Sequence, residues 1–168
     1  EDAKYQYKRV LGFYYMILMI TCIFVTMWGK EIIALMSNSA YGAAYLLLPG
    51  LLFGQVMYGV SVIVGYGLSF EKKTNYIFAA NVIGAVLNIV LNFAFIPNFG
   101  VEAAAYTTYV GYFVMAILLY VFAQKFYPCD YAISKVIISN VIIIALATFM
   151  NHYEMALGIR ALLTAASL

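Results

Sequence analysis

From Val10 to Trp28 the chain reads VLGFYYMILMITCIFVTMW, nineteen residues without a charge. About 20 apolar residues of helix cross the roughly 30 Å hydrocarbon core of a bilayer, and in that core a chain must satisfy every backbone N–H and C=O internally. The pattern recurs. Similar runs fall at about 42–70, 76–96, 101–123 and 132–150, and another begins at about 153 and is cut off at Leu168. These runs exceed any ordinary strand, and the alternation of a membrane β-barrel is absent. The sequence therefore predicts an all-α fold, a polytopic membrane bundle of about six transmembrane helices forming a single domain over 1–168.

Composition agrees. Hydrophobic residues make up 66% of the 168 and charged residues 10%, against about 25% charged in a soluble domain. Mean hydropathy is +0.95. This excludes a soluble enzyme, a disordered tail and a nucleic-acid-binding module, and the net charge of +2 gives no reason to expect a polyanion as partner. A first residue that is Glu1 and a last one inside an apolar run read as a piece of a larger membrane protein. The polar opening EDAKYQYKRV, followed by a long apolar run, does not resemble a signal peptide. Cys22, in an apolar run, and Cys129, in a polar loop, make a poor disulfide pair and read as free thiols.

The connectors are short: GKEIIALMSNSAY, SFEKKTN, PNFG, QKFYPCDYAISK and NHYE. Spans joined so tightly are antiparallel neighbours. If the spans alternate, Lys4, Lys8, Arg9, Lys72, Lys73, Lys125 and Lys135 fall on one side and Lys30 on the other. Cytoplasmic loops carry the excess of Lys and Arg. The first residues are therefore expected in the cytoplasm, with Lys30, Asn98 and His152 outside. Trp28, Tyr41, Tyr76 and Tyr127 sit near span ends, as interfacial anchors do.

Polar and helix-bending residues inside the spans mark candidate sites. Pro49 should bend the second span. Gly50 and Gly54 form a GxxxG step, and Ser61 and Gly65 a second small-xxx-small step, both suited to close helix approach. Static packing and a bendable helix in a shape-changing protein are both open readings. Asn81, Asn88 and Asn92, spaced by seven and four, lie on one helical face. An amide in hydrocarbon needs a partner or water, so that face should point into the bundle or a wet cavity, as lobe packing or as a substrate path. Gln55 is a similar candidate. Glu102 at the start of the fourth span suits the positive end of a helix dipole, with ion coupling as the alternative. Arg160 in the last run is a charge site or a snorkelling residue. No metal-ligand cluster, nucleotide loop or catalytic grouping appears, so neither cofactor nor metal is expected and the chain does not read as an enzyme.

Three stretches carry a family resemblance. EIIALMSNSAYGAAYLLLPG resembles an external loop and helix start, and EKKTN a cytoplasmic loop, of polysaccharide-type flippases. NVIGAVLNIVLNFAFIPNFGVEAAAYTTYVGY resembles the same family most strongly, through Asn88, Leu91, Asn92, Ile96, Pro97, Gly100, Ala103, Ala104, Ala105 and Thr108. Ala103 stands where the family usually has glycine. The family lies within the multidrug/oligosaccharidyl-lipid/polysaccharide exporter superfamily.

The resemblance implies a two-lobed bundle of 12 to 14 helices rocking between inward- and outward-open states. The runs here would form most of its C-terminal lobe and need the missing N-terminal lobe as partner. It implies a monomer in a bacterial cytoplasmic membrane that carries an undecaprenyl-pyrophosphate-linked oligosaccharide to the external leaflet for polysaccharide or O-antigen assembly. It implies no nucleic acid, and membrane lipid as surroundings. A charged, sugar-bearing headgroup cannot cross hydrocarbon unaided, because its desolvation cost is prohibitive. Within the superfamily, a cation-coupled multidrug antiporter and a peptidoglycan-precursor flippase are alternatives. A non-transporting scaffold would need neither the asparagine face nor the Pro97/Gly100 pattern.

Overall fold

The structure is a computed structural model that describes residues 2–36 and 44–152. Among them the chain is helical, with no strand: α1 Asp2–Met27, α2 Gly29–Met36, α3 Leu48–Phe70, α4 Thr74–Phe99, α5 Val101–Phe126 and α6 Ile133–His152. Among the described residues five stretches are long and apolar enough to cross a membrane: Lys4–Met27, Ala44–Phe70, Thr74–Phe99, Val101–Phe126 and Ile133–Met150. At 1.5 Å per residue, a 26-residue helix such as α4 is about 39 Å long, enough for the core and part of both interfaces. The run expected at 153–168, Tyr41 and the start of the 42–70 run lie outside the described residues.

Three expectations need correction. The connector after the first run is not all loop: Gly29–Met36 forms the short helix α2, almost continuous with α1 through Trp28, whose carbonyl accepts from Ile32 N. PNFG is not the turn. Pro97 and Asn98 belong to the last turn of α4, and the chain reverses at Gly100 alone, with φ of +71° and its N–H on the Ile96 carbonyl. Pro97 forgoes the N–H bond to the Phe93 carbonyl, but only two helical residues follow it, so a bend there displaces little of the helix, and glycine supplies the left-handed residue. Pro49 does not bend a helix interior. It lies in the first turn of α3, after a 3-10 turn at 44–47, where its missing N–H costs nothing.

Helix α3 is the hub. Its buried side chains Phe53, Val56, Met57, Val60, Val64 and Leu68 are inaccessible to solvent, and it packs on α5, α1 and α6. The α3–α5 seam is the most extensive, because small residues line it. A Cβ built on Gly50 would fall 2.7 Å from the Ala105 carbonyl carbon, and one on Gly54 3.4 Å from Tyr109 Cα. The Gly50/Gly54 step therefore meets α5 residues that are also four apart. Gly65 is different: its nearest neighbour would be Leu119 Cδ1 at 3.9 Å, so the Ser61/Gly65 step is not a close approach. At the α4–α5 crossing two glycines meet. A Cβ on Gly84 would lie 3.1 Å from the Gly111 carbonyl oxygen, and one on Gly111 3.1 Å from that of Gly84.

The turn between α3 and α4 is a Schellman closure, with Lys73 N–H on the Leu68 carbonyl and Lys72 N–H on that of Ser69. Lys72 holds the left-handed position, at φ of +56°, where glycine is usual.

Helix α6 is tied on by tyrosines. The Tyr15 hydroxyl contacts Ser139 Oγ at 2.7 Å, Tyr109 donates to Asn140 Oδ1 at 2.9 Å, and Tyr106 donates to Thr148 Oγ1 at 3.2 Å. Asn140 is fully buried, with its amide nitrogen 3.8 Å from Met19 sulfur.

Candidate functional site

The asparagines of α4 separate into two settings. Asn88 and Asn92 lie in the α4–α5 seam as a chain of amides and hydroxyls. Thr107 donates to Asn92 Oδ1, Asn92 Nδ2 to Asn88 Oδ1 at 3.1 Å, Asn88 Nδ2 to Thr108 Oγ1 at 3.2 Å, and Thr108 to the Ala104 carbonyl at 2.8 Å. The run is head to tail, which fixes the amide orientations. Asn81 is exposed, two turns before Asn88, and donates to the carbonyl of Ile77 on its own helix at 2.7 Å.

Beside this seam runs a groove formed by α3, α4 and α5. Two hollows compose it, of about 400 and 250 Å³, and both are lined by Tyr58 and Asn81. The larger continues to Asn88, Thr108 and Tyr112, and the smaller to Ser61, Tyr66 and Ser69. The rings of Tyr58 and Tyr112 pack at 5.2 Å between centroids. The α3 wall of the groove is Tyr58, Val62, Tyr66 and Ser69, part of an exposed stripe that begins at Leu51 and Gln55 and whose steps of three and four follow the helical period. Gln55 belongs to that stripe but does not line either hollow; its main-chain carbonyl accepts from Tyr14 at 3.4 Å. Close approach at Gly84 and Gly111 draws the floor of the groove together.

Glu102 is exposed in the first turn of α5 and borders a separate, more apolar hollow of about 590 Å³ with Phe95, Phe99 and Tyr106. The structure does not bring it to the asparagines' groove. Arg160 lies outside the described residues. Among those residues no group of three His, Cys, Asp or Glu side chains could hold a metal. Cys22 and Cys129 are both buried and unpaired.

Lys4, Lys8, Lys73 and Lys125 gather at one end of the bundle, and Lys30 lies over the Tyr45 ring elsewhere. Lys8 pairs with Asp130 at 2.7 Å, Lys4 lies over the Tyr127 ring, and Lys73 and Lys125 lie over that of Phe126. The Lys8 ammonium, together with the Ala132 N–H, holds the Asp130 carboxyl below the usual range. Tyr7 stacks on Tyr66 and meets Tyr127 edge-on, binding the start of α1 to the end of α3.

Sequence reasoning reached the asparagines but missed Tyr58, Tyr112, Thr107 and Tyr109. The period of the α3 stripe was a signal for Tyr58, since Gln55, Tyr58 and Tyr66 fall on one helical face. Thr107 and Asn140 gave no signal of their own, being single polar residues in apolar runs.

Residues 1–94 match the family model described as MatE. A curated relative, "Probable low-salt glycan biosynthesis flippase Agl15" of Haloferax volcanii, is 25% identical over 149 residues, covering 88% of this chain and 32% of its own length. The chain thus spans about a third of that relative. No solved structure matches it. With more than half of the chain matched, and with the membrane-length helices such a transporter requires, this chain belongs to the MatE family.

Proposed function

We propose that this chain is the larger part of the C-terminal lobe of a flippase that moves lipid-linked oligosaccharide across the cytoplasmic membrane by alternating access. The observation that carries the reading is the groove: an open, uncharged hollow of phenols and amides cut into an otherwise apolar bundle. Polar side chains exposed at membrane depth are costly unless they face protein or a wet cavity, and a transporter supplies that cavity. The MatE match and the resemblance to a glycan flippase support the same reading. The cationic end, with Lys72, Lys73 and Lys125, is assigned to the cytoplasm and the Lys30 end to the outside. A second lobe would close the cleft, holding the headgroup while the lipid tail stays in the bilayer. The protein would then do no covalent chemistry and need no cofactor.

Deleting the gene tests this. Surface glycan should be lost and lipid-linked repeat units should accumulate on the cytoplasmic face. Normal surface glycan in a deletion strain without a paralogue would overturn the reading. One observation favours a second reading, a cation-coupled antiporter: Glu102 beside Phe95, Phe99 and Tyr106 offers a carboxylate and rings to an organic cation. That reading requires Glu102→Gln to abolish drug resistance conferred by the full-length protein. The flippase reading leaves glycan export intact in the same variant.

A further inference from the structure

We infer that the groove shared by α3, α4 and α5 is a subsite for the uncharged sugar rings of a glycan and not for the phosphates of its carrier. The inference rests on the flippase reading above and assigns this lobe one part of the cargo. The groove's chemistry carries it. Among the described residues no charged side chain lines either hollow. Lys4, Lys73 and Lys125 lie together at one end of the bundle, around Tyr127 and Phe126, and Lys30 lies over Tyr45, outside both hollows. A phosphate only accepts hydrogen bonds and calls for cations or clustered N–H donors. A sugar hydroxyl both donates and accepts, and so do the groups present here: a phenol hydroxyl and a carboxamide.

Spare hydrogen-bonding capacity is available. Asn81 uses one N–H on the Ile77 carbonyl, leaving its oxygen and second N–H open to the groove. Asn88 keeps a second N–H beyond the one given to Thr108. The hydroxyls of Tyr58 and Tyr112 make no hydrogen bond with the described residues, although their rings pack together. Those rings give an apolar surface for the C–H face of a pyranose. At about 400 and 250 Å³, the joined hollows fall in the range of small-molecule sites, about 300–1,000 Å³. An organic cation would find no carboxylate here, and an acyl chain would strand the amides.

The test uses the full-length protein in lipid nanodiscs and saturation-transfer NMR. The probes are free maltotriose and triacetylchitotriose, with inorganic pyrophosphate as competitor. We expect saturation transfer to the ring protons of one or both trisaccharides. Tyr58→Leu and Asn81→Ala should each weaken binding by about fivefold or more, as losing one hydrogen-bonded or stacked group does. Phe93→Leu, on the 80% exposed outer side of α4, should change nothing, and pyrophosphate should not compete. Asn81 touches only its own helix through its side-chain hydrogen bond, so Asn81→Ala decides the matter if Tyr58→Leu does not fold. No transfer to either sugar, undiminished transfer in both variants, or displacement by pyrophosphate would overturn the subsite. The two readings fail separately. Sugar binding with normal glycan export in the deletion strain removes the flippase reading alone; lost export with no sugar binding removes the subsite alone.

Discussion

Two glycine-to-alanine changes in one helix should move stability in opposite directions. At Gly50 the new methyl would stand 2.7 Å from the Ala105 carbonyl carbon and 2.9 Å from its oxygen. Both atoms are backbone of α5, so no side-chain rotation relieves the overlap. The helices must part by about 0.7 Å at their most extensive seam to restore ordinary contact of 3.4 Å. Overpacking of this kind costs about 1–3 kcal/mol. The gain from replacing glycine in a helix is at most about 1 kcal/mol, and less in the first turn, where Gly50 lies. Gly50→Ala should therefore destabilise the helix bundle by about 1–2 kcal/mol.

Gly65→Ala meets only Leu119 Cδ1, at 3.9 Å. There the overlap is absent and the propensity gain of about 0.5–1 kcal/mol remains, so the variant should be more stable than the parent. Thermal unfolding in detergent reads both. Units of this size shift by about 2–4 °C per kcal/mol, so the two variants should melt on opposite sides of the parent. Gly50→Ala melting at or above the parent, or Gly65→Ala melting below it, would refute the assignment of the seam to Gly50.

Other outcomes follow from the geometry. Asn92→Leu removes its donation to Asn88 and its acceptance from Thr107, while Thr107 keeps its contact with the Ala104 carbonyl; with about 0.6 kcal/mol for the interhelical bond from Thr107 and about 0.2–0.5 kcal/mol for the i, i+4 bond to Asn88 within α4, thermal unfolding should show a loss of about 1 kcal/mol with transport per folded molecule unchanged. Lys72→Gly relieves a left-handed residue at φ of +56° and should raise stability by about 1 kcal/mol, seen as a higher melting temperature. The Asp130 carboxyl is held below its ordinary 3.8 by Lys8. Its contribution is therefore complete above that value and lost as pH falls through the lower folded value. The effect is small, because both partners face solvent. Melting curves of Asp130→Asn and the parent should differ slightly above about pH 4 and draw together as the pH falls below the ordinary 3.8.

The helices were legible because bilayer thickness sets their length, and an uncharged run of nineteen residues satisfies it. Their ends were less so. Pro97 reads as a turn because proline ends most helices, yet it lies two residues inside the end of α4 and the chain reverses at Gly100. The connector GKEIIALMSNSAY reads as loop through its polar residues, while its first eight residues fold as α2. The site divides along the same line. Asn88 and Asn92 could be set on one face by period, but their partners Thr107 and Thr108 depend on how α4 and α5 cross, which the Gly84–Gly111 contact decides. That crossing joins residues 27 apart in sequence, and no periodicity within one helix encodes it.

The same distinction bears on what in this bundle can move. Helix α5 meets α3 through Gly50 and Gly54, where backbone lies close to backbone and a small displacement produces overlap. It meets α4 through glycines and two hydrogen bonds, Thr107 to Asn92 and Asn88 to Thr108, which would be broken by sliding of one turn. Helix α6 is held to α1 and α5 by three tyrosine contacts and the buried Asn140. Interfaces of both kinds resist gradual deformation, because packed contacts and satisfied polar networks have discrete arrangements. If the chain serves as one lobe of the flippase proposed above, alternating access would fall to its boundary with the other lobe, with α3, α4, α5 and α6 moving as one body and the groove at Tyr58 and Asn81 keeping its shape through the cycle. A disulfide between α4 and α5, placed across the Gly84–Gly111 crossing, should then leave transport intact; a crosslinked protein that folds but no longer transports would show that the two helices must separate.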